Sequence, residues 1–220
     1  PCGTLFPYTT LFRSAVGDLD GDGHPELVVG NYISAGWGTA PVQMYPNQGG
    51  QLAVSPGWES APAVNAFRVA LGDPDGDGDL DLAVATGEAY HGVLQPNLVF
   101  FNDGGELAPT PGWSSDVADA SYDIAFVDHD GDGDQDLACL GGGWEGRVTI
   151  YENQDGVLAT APTWSTSTTD NGNTFDFDDL DGDGRLDLAI GYNTQLGGSG
   201  RFAVHLTAGG DLPTTPTWTS

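Results

Sequence analysis

The chain of 220 residues carries 32 acidic side chains against five basic ones, and its formal net charge at pH 7 is −27. A protein of this charge offers no basic patch for nucleic acid or for an anionic membrane surface, so we expect neither as a partner. No apolar run approaches the ~18 residues that a transmembrane helix requires, which argues against insertion into a membrane.

Residues 1–14 do not share the pattern of the rest of the chain. Residues 5–14, LFPYTTLFRS, resemble the translation of a sequencing adapter. We therefore interpret residues 1–14 as a non-native artefact and leave them out of the functional interpretation. A genuine N-terminal segment is the alternative. On the first interpretation, the native N-terminus and any signal peptide lie outside the sequence.

An acidic loop of nine residues occurs four times. Its copies begin at residues 18, 73, 128 and 179, which are 55, 55 and 51 residues apart, and each has acids at positions 1, 3, 5 and 9 and glycines at positions 4 and 6. They read DLDGDGHPE at 18–26, DPDGDGDLD at 73–81, DHDGDGDQD at 128–136 and DLDGDGRLD at 179–187. This recurrence indicates a repeat architecture with one acidic loop in every repeat.

The spacing of the acids predicts one metal site in each loop. Carboxylates at every second residue suit a hard cation with oxygen ligands, usually Ca²⁺, and the glycines permit the tight turns that wrap a short loop around an ion. The predicted ligands are the side chains of Asp18, Asp20, Asp22, Glu26, Asp73, Asp75, Asp77, Asp81, Asp128, Asp130, Asp132, Asp136, Asp179, Asp181, Asp183 and Asp187, with the backbone carbonyls of His24, Asp79, Asp134 and Arg185. An acidic turn without metal is the alternative, but four carboxylates in nine residues repel one another unless a cation offsets them.

The loop is not an EF-hand, because an EF-hand has a bidentate glutamate at position 12 and flanking helices. Position 12 here is Val29, Val84, Cys139 or Ile190, and each lies in a short apolar run that is typical of a strand. We therefore interpret Cys139 as a small hydrophobic core residue rather than a reactive thiol.

The elements of one repeat can be followed along residues 67–113. FRVALGD predicts a first strand, the acidic loop follows, and LAVATG predicts a second strand. After a further loop, LVFFND predicts a third strand, a Gly-Gly turn follows, and ELAPTPGW predicts a looser fourth strand that ends at a tryptophan. The other repeats follow the same order and end at equivalent tryptophans, which we interpret as packing residues: Trp58, Trp113, Trp164 and Trp218.

These repeats resemble those of the FG-GAP/VCBS repeat family. The resemblance rests on the strands that run from Phe67 to Asp73 and from Tyr122 to Asp128, on the DxDGDGxxD loops and on the DLAV-type strands after them, and it covers residues 15–220. Asp178 departs from the pattern, since it replaces the glycine that precedes the loop.

The resemblance implies an all-β fold of β-propeller blades, as in the head of integrin α subunits. It also implies about four Ca²⁺ ions, one per blade, in the loops between the first and second strands. We expect four four-stranded antiparallel blades that form a fragment of a propeller with about seven or eight blades. The expected blades span about 15–60, 61–115, 116–166 and 167–220.

The loops between the second and third strands form the predicted ligand-binding face. Strand alternation places them at the opposite end of the blades from the acidic loops. Each carries an aromatic residue beside Gly, Asn or Gln, a combination that suits a sugar ring or a protein partner. The candidates are Trp37, Tyr90, Trp144 and Tyr192. The alternative is that these rings only cap the ends of the blades.

No catalytic motif accompanies the repeats, because GxSxG, HExxH and CxxC are absent from the sequence and the loops use the paired acids. We therefore expect no enzyme activity. The leading hypothesis is a secreted or cell-surface, calcium-binding propeller for adhesion or for binding an extracellular glycan or protein. The alternative is a structural or accessory propeller of a larger secreted enzyme, such as a polysaccharide lyase or hydrolase.

Overall fold

The computed structural model describes residues 13–31, 38–88, 92–142, 146–168, 170–194 and 198–220. In these residues the protein is all-β, and its strands pair in antiparallel fashion. The described part of the chain contains no helix that is long and apolar enough to cross a membrane.

The strands form four units of four strands, numbered along the chain. Unit 1 contains β1 (Arg13–Gly17), β2 (Glu26–Gly30), β3 (Gln43–Tyr45) and β4 (Trp58–Glu59). Unit 2 contains β5 (Ala66–Gly72), β6 (Asp81–Thr86), β7 (Gln95–Phe100), the hairpin β8 (Asn102–Asp103) and β9 (Glu106–Leu107), and the first part of β10 (Trp113–Val127). Unit 3 contains the rest of β10, β11 (Asp136–Gly142), β12 (Val148–Tyr151), the hairpin β13 (Asn153–Gln154) and β14 (Val157–Leu158), and β15 (Trp164–Ser165). Unit 4 contains β16 (Gly172–Asp178), β17 (Asp187–Tyr192), β18 (Phe202–His205) and β19 (Trp218–Thr219).

Strand β10 belongs to two units at once. Its first part pairs with β7, from Trp113 opposite Val99 to Asp119 opposite Gln95. Its second part pairs with β11, beginning with Ala120 opposite Gly142. Units 2 and 3 therefore share one continuous strand and form a seven-stranded sheet.

One strand boundary differs from the prediction. The last strand of each unit begins at the tryptophan instead of ending there, because the preceding residues either form a separate small hairpin, as at β8 and β9, or lie outside the strands. Strand β1 begins at Arg13, so the last two residues of the segment interpreted as an artefact, Arg13 and Ser14, pair through their backbones with Gly30 and Val29. Such pairing uses backbone groups and does not depend on the side chains.

Three hydrophobic cores join consecutive units. The first, which includes Val28, Leu82 and Phe100, lies between units 1 and 2. The second lies between units 2 and 3 and includes Trp113 and Tyr151. The third joins units 3 and 4 and includes residues such as Ile150, Leu188 and Ile190. The units are therefore stacked in chain order, and each interface between them contains a hydrophobic core.

The burial of the second strands follows from this stacking. All six residues of β6 in unit 2 are buried, as is typical of a strand that is covered on both faces. In β2 of unit 1, buried and half-buried residues alternate, and most of β17 in unit 4 follows the same alternation. Units 1 and 4 thus each have one face that no other described unit covers.

Candidate metal sites

Each acidic loop connects the first strand of a unit to its second strand. Residues 18–25 lie between β1 and β2, 73–80 between β5 and β6, 128–135 between β10 and β11, and 179–186 between β16 and β17. The glycines at positions 4 and 6 of every loop have φ between 72° and 102°, a conformation that residues with a Cβ rarely adopt. These turns allow the acidic side chains of one loop to converge.

Backbone amides inside each loop hold the first three carboxylates in place. In the first loop, the amide of Gly23 donates to Asp18 (2.9 Å), and the amides of Asp22 and His24 donate to Asp20 and Asp22 (3.1 and 2.8 Å). The same three bonds recur in the other loops. Because such bonds use only part of the acceptor capacity of a carboxylate, further lone pairs are left for an ion.

The carboxylate at position 9 ties each loop to the turn after the third strand. It is buried in all four units, as Glu26, Asp81, Asp136 and Asp187. One of its oxygens accepts from a backbone amide 17 to 21 residues further along the chain, for example from Asn102 at 2.7 Å. In loops 1, 3 and 4 the other oxygen accepts from the amide at position 2, over 2.8 to 3.1 Å.

The donor set fits a hard cation. In each loop, ligand atoms of three acidic residues lie within 4.8 Å of one another, and the groups are Asp18, Asp20 and Asp22; Asp73, Asp75 and Asp81; Asp128, Asp130 and Asp132; and Asp179, Asp181 and Asp187. Three carboxylate oxygens among the described residues are buried without a hydrogen-bond partner: Asp18 Oδ1, Asp73 Oδ1 and Asp81 Oδ2. A buried carboxylate oxygen without a donor is costly unless a cation or water contacts it.

Proline accounts for one of these unpartnered oxygens. Position 2 of the second loop is Pro74, which has no N–H to donate to Asp81, whereas Leu19 and Leu180 donate at the equivalent place. Asp81 Oδ2 is left without the bond that its counterparts make. Among the four loops, the second thus depends most on an ion to satisfy its buried carboxylate.

Position 7 has a role that the sequence did not indicate. The loop pattern predicts that it supplies a backbone carbonyl, at His24, Asp79, Asp134 and Arg185. In two units its side chain also accepts from an amide of the small hairpin of the same unit: Asp79 from Gly104 and Asp134 from Asp155, both at 2.7 Å. An acid at position 7 therefore fastens the loop to its hairpin, whereas the carbonyl role stays a prediction.

The third loop adds a histidine to its acidic group. His129 Nδ1 lies 2.5 Å from Asp136 Oδ2, and ligand atoms of His129, Asp130 and Asp136 lie within 4.8 Å of one another. Burial lowers the pKa of His129, but its hydrogen bond to Asp136 and the charges of nearby acids outweigh burial and raise the pKa overall. The third loop consequently carries a positive group of its own when His129 is protonated.

Burial changes the titration of Asp81. It raises the pKa of this carboxyl from about 3.8 to about 7; the charges of Asp75, Asp77 and Asp73 add to the shift, and the hydrogen bond from the Asn102 amide opposes it. The pKa of Asp75 is shifted in the same direction, mainly by burial and by the charge of Asp77. Without a metal ion, and between pH ~4 and pH ~7, Asp81 therefore keeps its proton in the folded chain and loses it in the unfolded chain.

This difference predicts a pH dependence. Because the pKa of Asp81 is higher in the folded state, its contribution to stability is present below pH ~4 and is lost as the pH rises through ~7. In EDTA, the melting temperature of the wild type should therefore fall more between pH 5 and pH 7.5 than that of Asp81→Asn, which stays neutral. Equal slopes for the two proteins, measured by differential scanning calorimetry, would contradict this assignment.

The predicted ligand-binding aromatics can be placed only in part. Trp37, Tyr90 and Trp144 lie outside the described residues. The sequence analysis placed Tyr192 in a loop, but Tyr192 is the last residue of β17 and pairs with Gly172. Its ring belongs to the core between units 3 and 4, and its hydroxyl is 3.1 Å from Thr168 Oγ1. Core packing holds this ring inward, so it offers little surface to a ligand.

Comparisons with known proteins agree with the repeat organisation. The family model of the FG-GAP-like repeat matches three overlapping segments of this chain, residues 18–84, 75–139 and 128–190. The fold is similar to the crystal structure of the V. cholerae biofilm matrix protein Bap1, with 21% sequence identity and a TM-score of 0.57 over 94% of this chain. The chain corresponds to 28% of the Bap1 structure. No curated protein sequence matches it.

Proposed function

The chain belongs to the FG-GAP-like repeat family, and on this basis we propose that it is a calcium-binding, extracellular β-propeller module for adhesion or for carbohydrate or protein binding. In this proposal the four units are propeller blades. The stacking of the units in chain order and their shared apolar interfaces support it. The protein has a binding or structural role in this proposal, and no catalytic one.

The observation that carries the proposal is a cluster of three carboxylates in each of the four units, at positions 1, 3 and 5 in loops 1 and 3 and at positions 1, 3 and 9 in loops 2 and 4. Each cluster brings three ligand atoms within 4.8 Å, and two of the clusters contain buried oxygens that lack a donor. Ca²⁺ suits such a set better than Mg²⁺, because it accepts six to eight oxygen ligands in irregular geometry, whereas Mg²⁺ requires a near-octahedral site.

The ion has a structural role in this proposal. The position-9 carboxylate would contact the ion while its hydrogen bonds tie the loop to the turn after the third strand. Four Ca²⁺ ions would also reduce the net charge from −27 to about −19 and so weaken the repulsion between the acids. The ion would thus hold together the acids of one loop, which otherwise repel one another.

The adhesive role draws on Bap1, which is a biofilm matrix protein. Matrix proteins act outside the cell, so the likeness supports an extracellular location and an extracellular glycan or protein as partner. The low coverage of Bap1 also favours a second candidate, since there the matched fold is part of a much longer chain. In that candidate the module is a structural or accessory part of a larger secreted protein, for example of a polysaccharide lyase or hydrolase.

A binding assay tests the adhesive role. With Ca²⁺ present, the chain is expected to bind an immobilised glycan or matrix protein through the loops that carry Trp37 and Trp144, because tryptophans are enriched at the centre of such contacts. The double variant Trp37→Ala, Trp144→Ala should bind at least about tenfold more weakly and melt at an unchanged temperature.

Trp218→Ala is the matched control, because it removes a tryptophan from a strand of unit 4 and leaves those loops intact. It should bind like the wild type. No binding to a broad glycan array and to extracted matrix protein would contradict the adhesive role and favour the accessory one. A double variant that binds normally would contradict the placement of the ligand face.

A further inference from the structure

One buried asparagine bonds the acidic loops of two units. Asn102 begins the small hairpin after the third strand of unit 2 and is almost completely buried. Its side-chain Nδ2 donates to the Leu19 carbonyl of loop 1 (2.7 Å) and to the Leu80 carbonyl of loop 2 (3.2 Å). Its backbone amide donates to Asp81, the position-9 carboxylate of loop 2. A single residue therefore connects loops 1 and 2.

The same arrangement connects loops 2 and 3. Asn153 begins the hairpin of unit 3, and its Nδ2 donates to the Pro74 carbonyl of loop 2 (2.5 Å) and to the Gln135 carbonyl of loop 3 (2.9 Å). Its backbone amide donates to Asp136, again the carboxylate at position 9 (2.8 Å). The bonds thus repeat at equivalent positions of two successive boundaries, and we call Asn102 and Asn153 the bridging asparagines.

Each bridging asparagine bonds the backbone between predicted ligands of both loops. In the preceding loop the bonded carbonyl is at position 2, between the acids at positions 1 and 3. In the asparagine's own loop it is at position 8, between positions 7 and 9. The bond to the preceding loop is buried at both boundaries, so its loss would leave a buried carbonyl without a donor. The placement of the ligands in one loop therefore depends on the placement of those in the other.

The turns of the two hairpins add a second contact with the preceding loop. Gly105 in unit 2 and Gly156 in unit 3 lie against the backbone at position 3 of that loop. A Cβ on either glycine would come 3.0 Å from the carbonyl oxygen of Asp20 or Asp75, which leaves little room for a side chain. The same turns also donate an amide to the position-7 carboxylate of their own loop. Each hairpin thus contacts two consecutive loops.

Unit 4 lacks this bridge. Thr207 stands at the place of the bridging asparagines, and its backbone amide makes the equivalent bond to Asp187 (2.8 Å). Its hydroxyl donates to the Leu186 carbonyl of loop 4 (2.6 Å), and within the described part of the chain it has no bond to loop 3. A hydroxyl has one hydrogen to donate where the amide of asparagine has two. A Cβ on Gly210, in the turn of this unit, would meet no atom within 4 Å.

From this difference between the boundaries we propose that the bridging asparagines couple calcium binding at loops 1, 2 and 3, whereas loop 4 binds its ion independently of loop 3. The coupling rests on the proposed binding of Ca²⁺ by the loops. When an ion is bound, the acids at positions 1 and 3 are fixed, and so is the position-2 carbonyl between them. The asparagine on that carbonyl then holds the position-9 carboxylate of the next loop in place. The second ion therefore meets a loop that is already partly ordered, which raises its affinity.

Two variants with two sites each test the coupling by titration calorimetry with Ca²⁺, in about 0.15 M salt to screen the charges of the loops. The variant with loops 1 and 2 intact carries Asp128→Asn, Asp130→Asn, Asp179→Asn and Asp181→Asn. The variant with loops 3 and 4 intact carries Asp18→Asn, Asp20→Asn, Asp73→Asn and Asp75→Asn. In the first, binding of one ion should raise the affinity for the other by about fivefold or more; in the second, the two ions should bind independently.

Substitution of the asparagine identifies the bridge itself. In the variant with loops 1 and 2 intact, Asn102→Thr introduces the residue that unit 4 has at this place, and it should abolish the coupling. Asn47→Thr is the matched control, because Asn47 begins the equivalent turn in unit 1 and its bonds among the described residues stay within that unit. It should leave the coupling unchanged.

Independent binding by loops 1 and 2, or coupling that survives Asn102→Thr, would overturn the proposal while calcium binding itself stands. No binding of Ca²⁺ by the wild type would instead contradict the proposed function. If a two-site variant does not fold, the four-site chain gives the answer. Its titration against free Ca²⁺ should be steeper than that of the double variant Asn102→Thr, Asn153→Thr and as steep as that of Asn47→Thr. Equal steepness in all three proteins would overturn the coupling.

Discussion

Removal of Ca²⁺ by EDTA is expected to lower the melting temperature of the chain by ~5–10 °C or more. A single site that binds only the folded state contributes about 2.7 kcal/mol when free Ca²⁺ is 100 times its dissociation constant. For a chain of this length, each kcal/mol shifts the melting temperature by ~2–4 °C, and the loops present four such clusters. Differential scanning calorimetry with Ca²⁺ and with EDTA measures the shift.

Variants of the second loop show whether the ion is held as proposed. The double variant Asp73→Asn, Asp75→Asn removes two carboxylates from one cluster, so titration calorimetry should find one Ca²⁺ fewer than in the wild type. Glu106→Gln removes an exposed charge outside the loops and should leave the stoichiometry unchanged. A melting temperature that does not respond to EDTA, or a stoichiometry that the loop variant does not alter, would contradict calcium binding at these carboxylates.

Trp113→Ala is expected to destabilise the chain by ~3–5 kcal/mol, the range found when a buried aromatic is truncated. Trp113 lies in the core between units 2 and 3, where it contacts Tyr151 edge-on and donates a hydrogen bond to the Ala159 carbonyl. Its removal leaves a cavity and an unpaired carbonyl at an interface that holds two units together. Urea unfolding measures the change in free energy.

Trp218→Ala is the matched control for this loss. It removes the same side chain from the same strand position, but in unit 4, where 53% of the residue is exposed. It should change the free energy of unfolding by no more than about 0.5 kcal/mol. Equal losses for Trp113→Ala and Trp218→Ala would mean that Trp218 is covered in solution and that unit 4 does not end in an open face.

The repeat family and the all-β fold could be predicted from the sequence because both depend on local patterns. Acids and glycines at fixed positions of a nine-residue loop, followed by a short apolar run, specify a turn and a strand without knowledge of the rest of the chain. The family match and the all-β structure confirm these two predictions. Metal binding by the loops stays a prediction that the geometry supports.

Other features depend on contacts between residues that are distant in the sequence, so they could not be predicted from local patterns. The side chain of Asp134 bonds the amide of Asp155, and one oxygen of Asp136 bonds the amide of Asn153. Before the tryptophan, only the first two residues of the predicted fourth strand, Glu106 and Leu107, are in a strand, that of a separate hairpin, and the last strand of unit 2 begins at the tryptophan where the prediction had it end. The ring of Tyr192 is packed into a core because Tyr192 is still part of β17, where it pairs with Gly172, and not part of the loop that follows.

By itself, the sequence determined the period of the repeat, the acidic loop in each repeat and the tryptophan that recurs at one place, because each of these is a property of neighbouring residues. Only the tertiary structure decided what each copy does. Trp113 and Trp218 occupy the same position of the repeat, yet one is buried and the other is half exposed. Burial depends on whether another unit lies against the face, and a local pattern does not contain that information.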